Sequence, residues 1–386
     1  MKFSVFIHFE INFNYYYNKQ IFLYGKNTFD LNMFDNKKIL ITGGTGSWAN
    51  ELVKQLLEKY NVSEIRIYSR GEQKQVEMQH KFNNNQLLKF IIGDVRDPER
   101  LDMATEKIDY VFHMAALKHV PVCESNPWEA VKTNIQGTQN IINASIKNNV
   151  KKVIFISTDK AVDPLNLYGV SKQCAEKLII AANKDSDSTR FICVRGGNVI
   201  GSAGSVIPLF REQIKRKNEI TLTDENMTRF FLTLNQAISL VFKSIEESLG
   251  GEIFVMKMPA TKITNLIDVM INEIGDSDTQ IRTIGIRPGE KFHEVLVSRY
   301  ESERTYDGGD YFIILPVINL KGLEEKYSNM QKIIFNEFNS ENTRQLDNEE
   351  LKRILKEDGW LDSSIDTGFL KKLDKKTLEF KSDKWL

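Results

Sequence analysis

The segment running from Lys38-Ile-Leu-Ile-Thr42 through Gly43-Gly44-Thr45-Gly46-Ser47-Trp48 to Ala49 constrains this chain more than any other. A short apolar run ends at Thr42, and small residues follow at 43, 46 and 49. From Asn50 to Glu58 the apolar side chains Leu52, Val53, Leu56 and Leu57 recur at helical spacing. A strand that feeds a helix through a GxxGxxA turn needs minimal side chains, because its backbone must approach a ligand closely. The helix start then offers unpaired N–H groups and the positive end of its dipole, which suits the pyrophosphate of a dinucleotide. Such glycines are weak signals alone; the strand before them and the helix after them make this one specific.

The alternation continues. Ile65–Tyr68, Phe90–Ile92, Tyr110–Met114, Val153–Ile156 and Phe191–Val194 read as strands, and Thr133–Asn148 and Tyr168–Asn183 as helices. The pattern predicts an α/β fold: a Rossmann-type doubly wound parallel sheet covered by helices, with a smaller C-terminal α/β substrate-binding region. After Arg195 the regularity weakens. Ser205–Lys217 reads as a helix, Ile253–Lys257 as a strand, and Arg287-Pro-Gly-Glu-Lys291 as a turn followed by a short helix. The expected organisation is an N-terminal extension over 1–34, a dinucleotide-binding domain over 35–200, and a mainly substrate-binding region with a polar C-terminal tail over 201–386. Segments near 228–257 are expected to return to the first domain.

Bulk properties exclude several classes. The 386 residues carry 52 Lys+Arg against 52 Asp+Glu, so the basic excess expected of a nucleic-acid or anionic-membrane binder is absent. The three cysteines, Cys123, Cys174 and Cys193, form no CxxC pair, and no metal site or disulfide framework is predicted. A reducing, cytoplasmic setting fits. Residues 1–34 are rich in aromatics but interrupted by His8, Glu10 and several Asn. They contain no apolar run long enough to span a bilayer and no clean signal-peptide pattern, and read as an extension outside the catalytic fold.

The second strand selects the dinucleotide. An NAD site ends this strand in Asp or Glu; here the end is Tyr68-Ser69-Arg70, with Lys74 one turn further. Arg70 and Lys74 would neutralise a 2′-phosphate, so NADP is expected. The candidate cofactor contacts are Gly43, Thr45, Gly46, Ser47 and Trp48 in the first turn, Ser69, Arg70 and Lys74 in the second, Asp94 and Val95 after the third strand, and Ala115 and Ala116 after the fourth. Asp94 could accept from an adenine amino group. Asn134 is expected to support the active-site backbone, and His113 reads equally as a packed core histidine.

Ser157-Thr158-Asp159-Lys160 precedes Tyr168-Gly-Val-Ser-Lys172. Tyr168 and Lys172, four apart at a helix start, share one face. A lysine there can hold a ribose and lower the tyrosine pKa, and the tyrosine can take the proton from a sugar hydroxyl as hydride leaves the carbon. Asp159-Lys160 supplies an acid and a base beyond what hydride transfer needs. Oxidation at C4 of a sugar acidifies the C5 proton; a lysine of lowered pKa could remove it while the aspartic acid protonates the departing C6 hydroxyl.

At this point the residues resemble a family. Ile41-Thr-Gly-Gly-Thr-Gly-Ser47, Tyr68-Ser-Arg70, Gly93-Asp-Val-Arg-Asp97, Ala115-Ala-Leu-Lys-His-Val-Pro121, Ser157-Thr-Asp-Lys-Ala161, Asn166-Leu-Tyr-Gly169, Met227-Thr-Arg-Phe230 and Gly285-Ile-Arg-Pro-Gly-Glu-Lys291 look like UDP-N-acetylglucosamine 4,6-dehydratases, the inverting ones above all. The likeness covers roughly 35–315. It implies C4 oxidation, elimination of water across C5–C6, return of hydride to C6 and inversion at C5. The implied product is UDP-2-acetamido-2,6-dideoxy-β-L-arabino-hex-4-ulose. By resemblance Lys160 is the C5 base, Asp159 the acid at C6, Tyr168 the C4 base and Thr158 a hydroxyl-positioning residue. Lys118, Asn198, Arg229, Arg287 and Glu290 match positions that hold the UDP-sugar, Lys118 also lying at the cofactor. Members are homo-oligomers, often hexamers, so a dimer-based homo-oligomer is implied. Trp48 replaces a usual Phe, and Gly196 a usual Tyr beside Asn198, which bears on pocket shape. A 4-epimerase or a retaining dehydratase on the same scaffold is the competing reading. An epimerase needs no Asp159-Lys160 pair, and retaining dehydratases commonly carry Asp-Glu there. A non-catalytic NADP-binding regulator would be expected to lose Tyr168 or Lys172.

Overall fold

A computed structural model describes residues 30, 32–201, 205–217, 219–276, 278–333 and 335–362. Most of the expected N-terminal extension and the tail beyond 362 lie outside them. In chain order the first half comprises β1 (Lys38–Thr42), α1 (Ser47–Lys59), β2 (Glu64–Ser69), α2 (Glu72–Lys81), β3 (Leu88–Ile92), α3 (Pro98–Thr105), β4 (Tyr110–His113), α4 (Gly137–Lys147), β5 (Lys152–Thr158), α5 (Leu167–Ala181) and β6 (Arg190–Gly196). Helix α4 is continuous with a π-helical stretch over Val131–Gln136 and the short helix Pro127–Ala130. The second half adds α6 (Val206–Lys217), β7 (Glu219–Leu222), β8 (Thr228–Phe230), α7 (Leu234–Glu247), β9 (Ile253–Met256), β10 (Ala260–Lys262), α8 (Ile263–Ile274), β11 (Gln280–Thr283), β12 (Val295–Val297), β13 (Thr305–Asp307), β14 (Tyr311–Ile314), β15 (Phe338–Asn339) and α9 (Asn348–Glu357).

The main sheet runs β13-β14-β9-β6-β5-β4-β1-β2-β3. All pairs from β3 to β9 are parallel, and β13 and β14 close one edge antiparallel. The fold is therefore the expected α/β, Rossmann-type doubly wound sheet. Central strands covered on both faces must be apolar throughout, and Ile39, Leu40 and Ile41 of β1 are fully buried, as are Val153 and Ile154 of β5. Helix α1 packs beside α7, while α3, α4 and α5 pack in sequence against one another. Phe34, assigned by sequence to the extension, inserts into this core, edge-on to Tyr60 and Tyr110 with centroids 4.9 and 5.2 Å away.

A second apolar cluster joins α6, β7, α8 and α9 through Ile207, Phe210, Ile220, Leu266, Met270, Leu351 and Leu355. The short helix expected after Lys291 is not formed. The apolar triplet Val295-Leu-Val297 makes β12 instead, pairing antiparallel with β15, because a partner strand satisfies its backbone.

Arg195 ties the main sheet to the 296–301 segment. It is buried at the end of β6, and its guanidinium meets Glu176 of α5 at 2.7 Å, Glu301 at 3.0 Å and the Leu296 carbonyl at 2.9 Å. Removing one partner from such a network leaves buried charge uncompensated. Arg195→Met is expected to cost about 3–5 kcal/mol, read as a lower urea midpoint. Burial pushes the Glu301 carboxyl up, but Arg195 outweighs it and brings the pKa from 4.5 down to about 2. Because the folded-state value is depressed, the stability from this group is complete above pH 4.5 and lost as pH falls towards 2. Glu301→Gln should remove that part of the acid dependence of stability.

Candidate active site

In doubly wound sheets the crevice lies beyond the carboxyl ends of the strands where the strand order reverses. Here that point falls between β1 and β4, and a cleft of about 1090 Å³ opens there. The candidate catalytic, cofactor and substrate residues line it except Asp159; His113 and Asn134 lie outside its lining.

The β1–α1 turn forms the floor. Gly43 has φ of +63°, and a Cβ there would lie 2.8 Å from the Ala115 backbone nitrogen. The turn is thus pressed against the end of β4 and admits no side chain. Gly46 is the N-cap of α1 and no side chain caps it, so a helix terminus is left for an anion. Thr42 Oγ1 accepts from the Met114 and Ala115 amides at 3.2 and 3.3 Å and meets His113 Nδ1 at 2.7 Å. His113 Nε2 is 3.1 Å from Thr138 Oγ1. Burial, with the charge of Lys172, pulls the His113 pKa down to about 3. It is a neutral, packed core histidine. Asn134, inside the π-helical turn, grips Leu117 through both backbone groups at 2.8 and 2.9 Å and donates to Ser171 Oγ at 2.9 Å. It fixes the loop after β4 to α5, the support expected of it.

At the tip of β2, Gln75 donates to the Ser69 carbonyl and hydroxyl, both at 3.0 Å. Arg70 is 57% exposed and 4.0 Å from Asp94, and Lys74 is exposed beside it. Burial raises the Asp94 carboxyl, but hydrogen bonds and charge from Arg96, 2.6 Å away, and the charge of Arg70 hold it below its usual range.

The remaining candidate groups lie at the end of β5, on the 3-10 turn Asp159–Ala161 that follows it, and on α5. Asn166 caps α5, accepting from the Gly169 amide at 2.9 Å, and donates to the Gly289 carbonyl at 2.9 Å. Lys291 donates to the Val162 carbonyl at 2.6 Å. The 287–291 turn is thereby pinned over the start of α5. In the first turn, Tyr168 is buried. Burial pushes its pKa up to about 12, with the Lys160 charge and a Thr158 hydrogen bond pulling the other way. Lys172 donates to the Ile156 carbonyl at 2.7 Å and sits 3.7 Å over the Phe155 ring. Burial in that apolar niche brings it down to about 7. Of the nearby cations, Lys160 lowers the Tyr168 pKa most, while Lys172 is buried against a ring and a carbonyl.

Lys160 differs from expectation in sign. Burial alone would lower its pKa, but Asp159 and Glu294 outweigh burial and hold it above the usual lysine range. Its Nζ lies 3.1 Å from Asp159 Oδ1, 3.3 Å from Glu294 Oε1 and 3.3 Å from Asn198 Oδ1. Asp159 is only 1% exposed and stands behind the cleft wall; Thr158 Oγ1 donates to its Oδ1 at 2.8 Å, and its Oδ2 has no hydrogen-bond partner among the described residues. Burial, then the Glu294 charge, raise its pKa. Glu294 was not singled out from the sequence, since nothing local marks it three residues after the Arg287–Lys291 turn. Arg229 Nε lies 3.7 Å from Glu294, and Arg287 meets Glu290 at 3.2 Å.

Residues 39–316 match the family described as polysaccharide biosynthesis protein. The chain belongs to this family. Among its relatives, a UDP-N-acetylglucosamine 4,6-dehydratase (inverting) of Campylobacter jejuni strain 81-176 is 47% identical, the match covering 77% of this chain and 88% of that one. A UDP-glucose 4-epimerase of Rickettsia canadensis is 44% identical, over 84% of this chain and 96% of the other. The X-ray structure of Pen from Bacillus thuringiensis superposes with a TM-score of 0.79 at 41% identity, covering 85% of this chain and 99% of that one.

Within the family resemblance, Trp48 and Gly196 depart together, and the fold brings them together. A Cβ on Gly196 would lie 3.4 Å from the Trp48 ring, so the indole occupies the direction a larger residue 196 would take. Gly196→Ala should be nearly neutral. Gly196→Tyr should cost about 1–3 kcal/mol by overpacking, and Trp48→Ala in the same chain should recover part of it, read by thermal unfolding of the four proteins of the cycle.

Proposed function

We propose that this protein is an inverting UDP-N-acetylglucosamine 4,6-dehydratase that uses a nicotinamide dinucleotide, NADP in preference to NAD. The observation that carries the reading is that Lys160, which lines the same cleft as Tyr168, contacts the buried carboxyl of Asp159 behind it. The uncapped start of α1 and the turn that excludes a Cβ at Gly43 fit a pyrophosphate. Gly43, Thr45, Gly46, Ser47 and Trp48 would hold it, with Ser69, Arg70 and Lys74 at the 2′-phosphate, and Asp94, Val95, Ala115, Ala116, Lys118, Tyr168 and Lys172 along the rest. A bound nicotinamide would supply reversible hydride transfer, from C4 and back to C6, so that no outside oxidant is consumed.

The chain's own residues move the protons. Tyr168 takes the C4 hydroxyl proton, with Thr158 orienting that hydroxyl. Lys160 and Asp159 share one proton across their 3.1 Å contact. Its transfer to Asp159 leaves a neutral amine and a carboxylic acid, the two forms the elimination requires. Lys160 then takes the C5 proton, and Asp159 delivers its proton, through the Thr158 hydroxyl it contacts, to the C6 oxygen leaving as water. The pair ends as ammonium and carboxylate, where it began; hydride returned to C6 would leave an enolate whose C5 takes a proton from solvent on the face opposite Lys160, which inverts that centre, while Tyr168 releases the C4 proton to solvent. Lys118, Asn198, Arg229, Arg287 and Glu290 hold the UDP-sugar.

Protein incubated with UDP-N-acetylglucosamine in deuterium oxide should give a 6-deoxy-4-keto sugar nucleotide without added oxidant, with deuterium at C5 by proton NMR. The names of the Rickettsia relatives favour a second reading, 4-epimerisation; a time course yielding only UDP-N-acetylgalactosamine would establish that instead. Lys160→Ala should abolish dehydration, and normal turnover in that variant would reject Lys160 as the base. Separately, Arg70→Ala combined with Lys74→Ala should weaken NADP binding by on the order of a hundredfold or more, since each lost charge-assisted bond is worth about 1.5–3 kcal/mol, while NAD binding changes little. Equal losses for both dinucleotides in titration calorimetry would overturn the NADP assignment.

A further inference from the structure

Glu294 lines the cleft, yet it is only 3% exposed. Its backbone is clamped at both ends. The amide donates to Ser340 Oγ at 2.9 Å, and its carbonyl accepts from the Ser340 amide at 2.8 Å. Ser340 Oγ is also 2.7 Å from Thr228 Oγ1 and 3.1 Å from the Thr228 carbonyl. Thr228 precedes Arg229, so one buried serine fixes Glu294 relative to β8. The carboxylate then lies 3.3 Å from Lys160 Nζ and 3.7 Å from Arg229 Nε through a single oxygen, Oε1. Oε2 is buried without a hydrogen-bond partner among the described residues. A carboxylate kept for stability would be expected to satisfy both oxygens; this one is spent on two cations at the cleft wall.

We propose that Glu294 is a positioning residue for the acid–base pair: its fixed carboxylate holds the Lys160 amine against Asp159 and supplies the negative charge beside which that pair shares its proton. The inference rests on the proposed role of Lys160 as C5 base. Lys160 is faced by Asp159 on its own turn, Glu294 and Lys291 on the 291–294 segment, Arg229 on β8, Lys118 after β4 and Tyr168 on α5. Of these only Asp159 and Glu294 are carboxylates, and Glu294 alone lies outside the pair. A fixed anion favours the more positive form of the pair at each protonation step. It therefore raises the pH at which Lys160 loses its surplus proton, and also the pH at which Asp159 loses the proton it donates.

The test is the pH profile of kcat for dehydration in Glu294→Gln and Glu294→Asp. Gln keeps the shape and removes the charge. Both limbs of its bell should move to lower pH by about one unit, kcat at the optimum should fall about tenfold through lost placement of the amine, and KM should stay within about threefold. Asp should restore the position of the limbs. If the Gln profile keeps wild-type limbs, or if kcat and KM fall away together with the melting temperature and Asp does not restore them, Glu294 is only structural and the inference is wrong. Lys160→Ala, run alongside, separates the two failures. An active Lys160→Ala overturns both the base and its positioning residue; an inactive one with an unshifted Glu294→Gln profile overturns the positioning role alone.

Discussion

Between β1 and β4 two parallel strands lie side by side while the connections that follow them diverge, and the whole cleft is organised by that split. The backbone at Gly43 is pressed so closely on Ala115 that even one carbon atom would not fit. This contact sets how near a ligand can come to the sheet. Around it are set the open helix start at Gly46, the Asn134 grip on the loop after β4, and β5 and α5, which with the 3-10 turn Asp159–Ala161 between them carry Thr158, Asp159, Lys160, Tyr168 and Lys172. The sheet supplies the frame, and its ends supply the chemistry.

Two lysines in this cleft show how far environment outweighs identity. Lys172 meets a ring face and a carbonyl, neither of which repays its desolvation as a charge, and it is driven towards neutrality. Lys160 meets two carboxylates and is driven the other way. Asp159 and Glu294 also diverge: Asp159 is pushed up by burial and its neighbour, whereas Lys160 and Arg229 outweigh burial and hold Glu294 down. Pairs of titratable groups pushed apart in this manner are the usual basis of acid and base roles in one pocket.

Much of the architecture could be read in the sequence because its cues are local. Lys38–Thr42 is a strand in both readings, and the strands that follow differ by one to three residues at their ends, since apolar runs bounded by turns leave little choice. What could not be read depends on distant partners. Val295-Leu-Val297 looks as suited to a helix as to a strand until Phe338–Asn339 arrives to pair with it. The sign of the shift at Lys160 requires Glu294, which is 134 residues away and is placed by Ser340. Gly196 and Trp48 read as two unrelated departures from a pattern, and only the fold makes them neighbours.

The clamp of Ser340 on Glu294 and Thr228 has a consequence for how the molecule comes into being. The cleft draws on residues from Gly43 near the start of the sheet to a serine almost three hundred positions later. Contacts of such long sequence separation form late, because the intervening chain must be ordered first. A chain leaving the ribosome can therefore pair β1 to β6 and form the glycine turn before the residues that set the charge balance at Lys160 have been made. The glycine turn needs only the first strands, whereas the surroundings of Lys160 are complete only once β15 has docked beside β12.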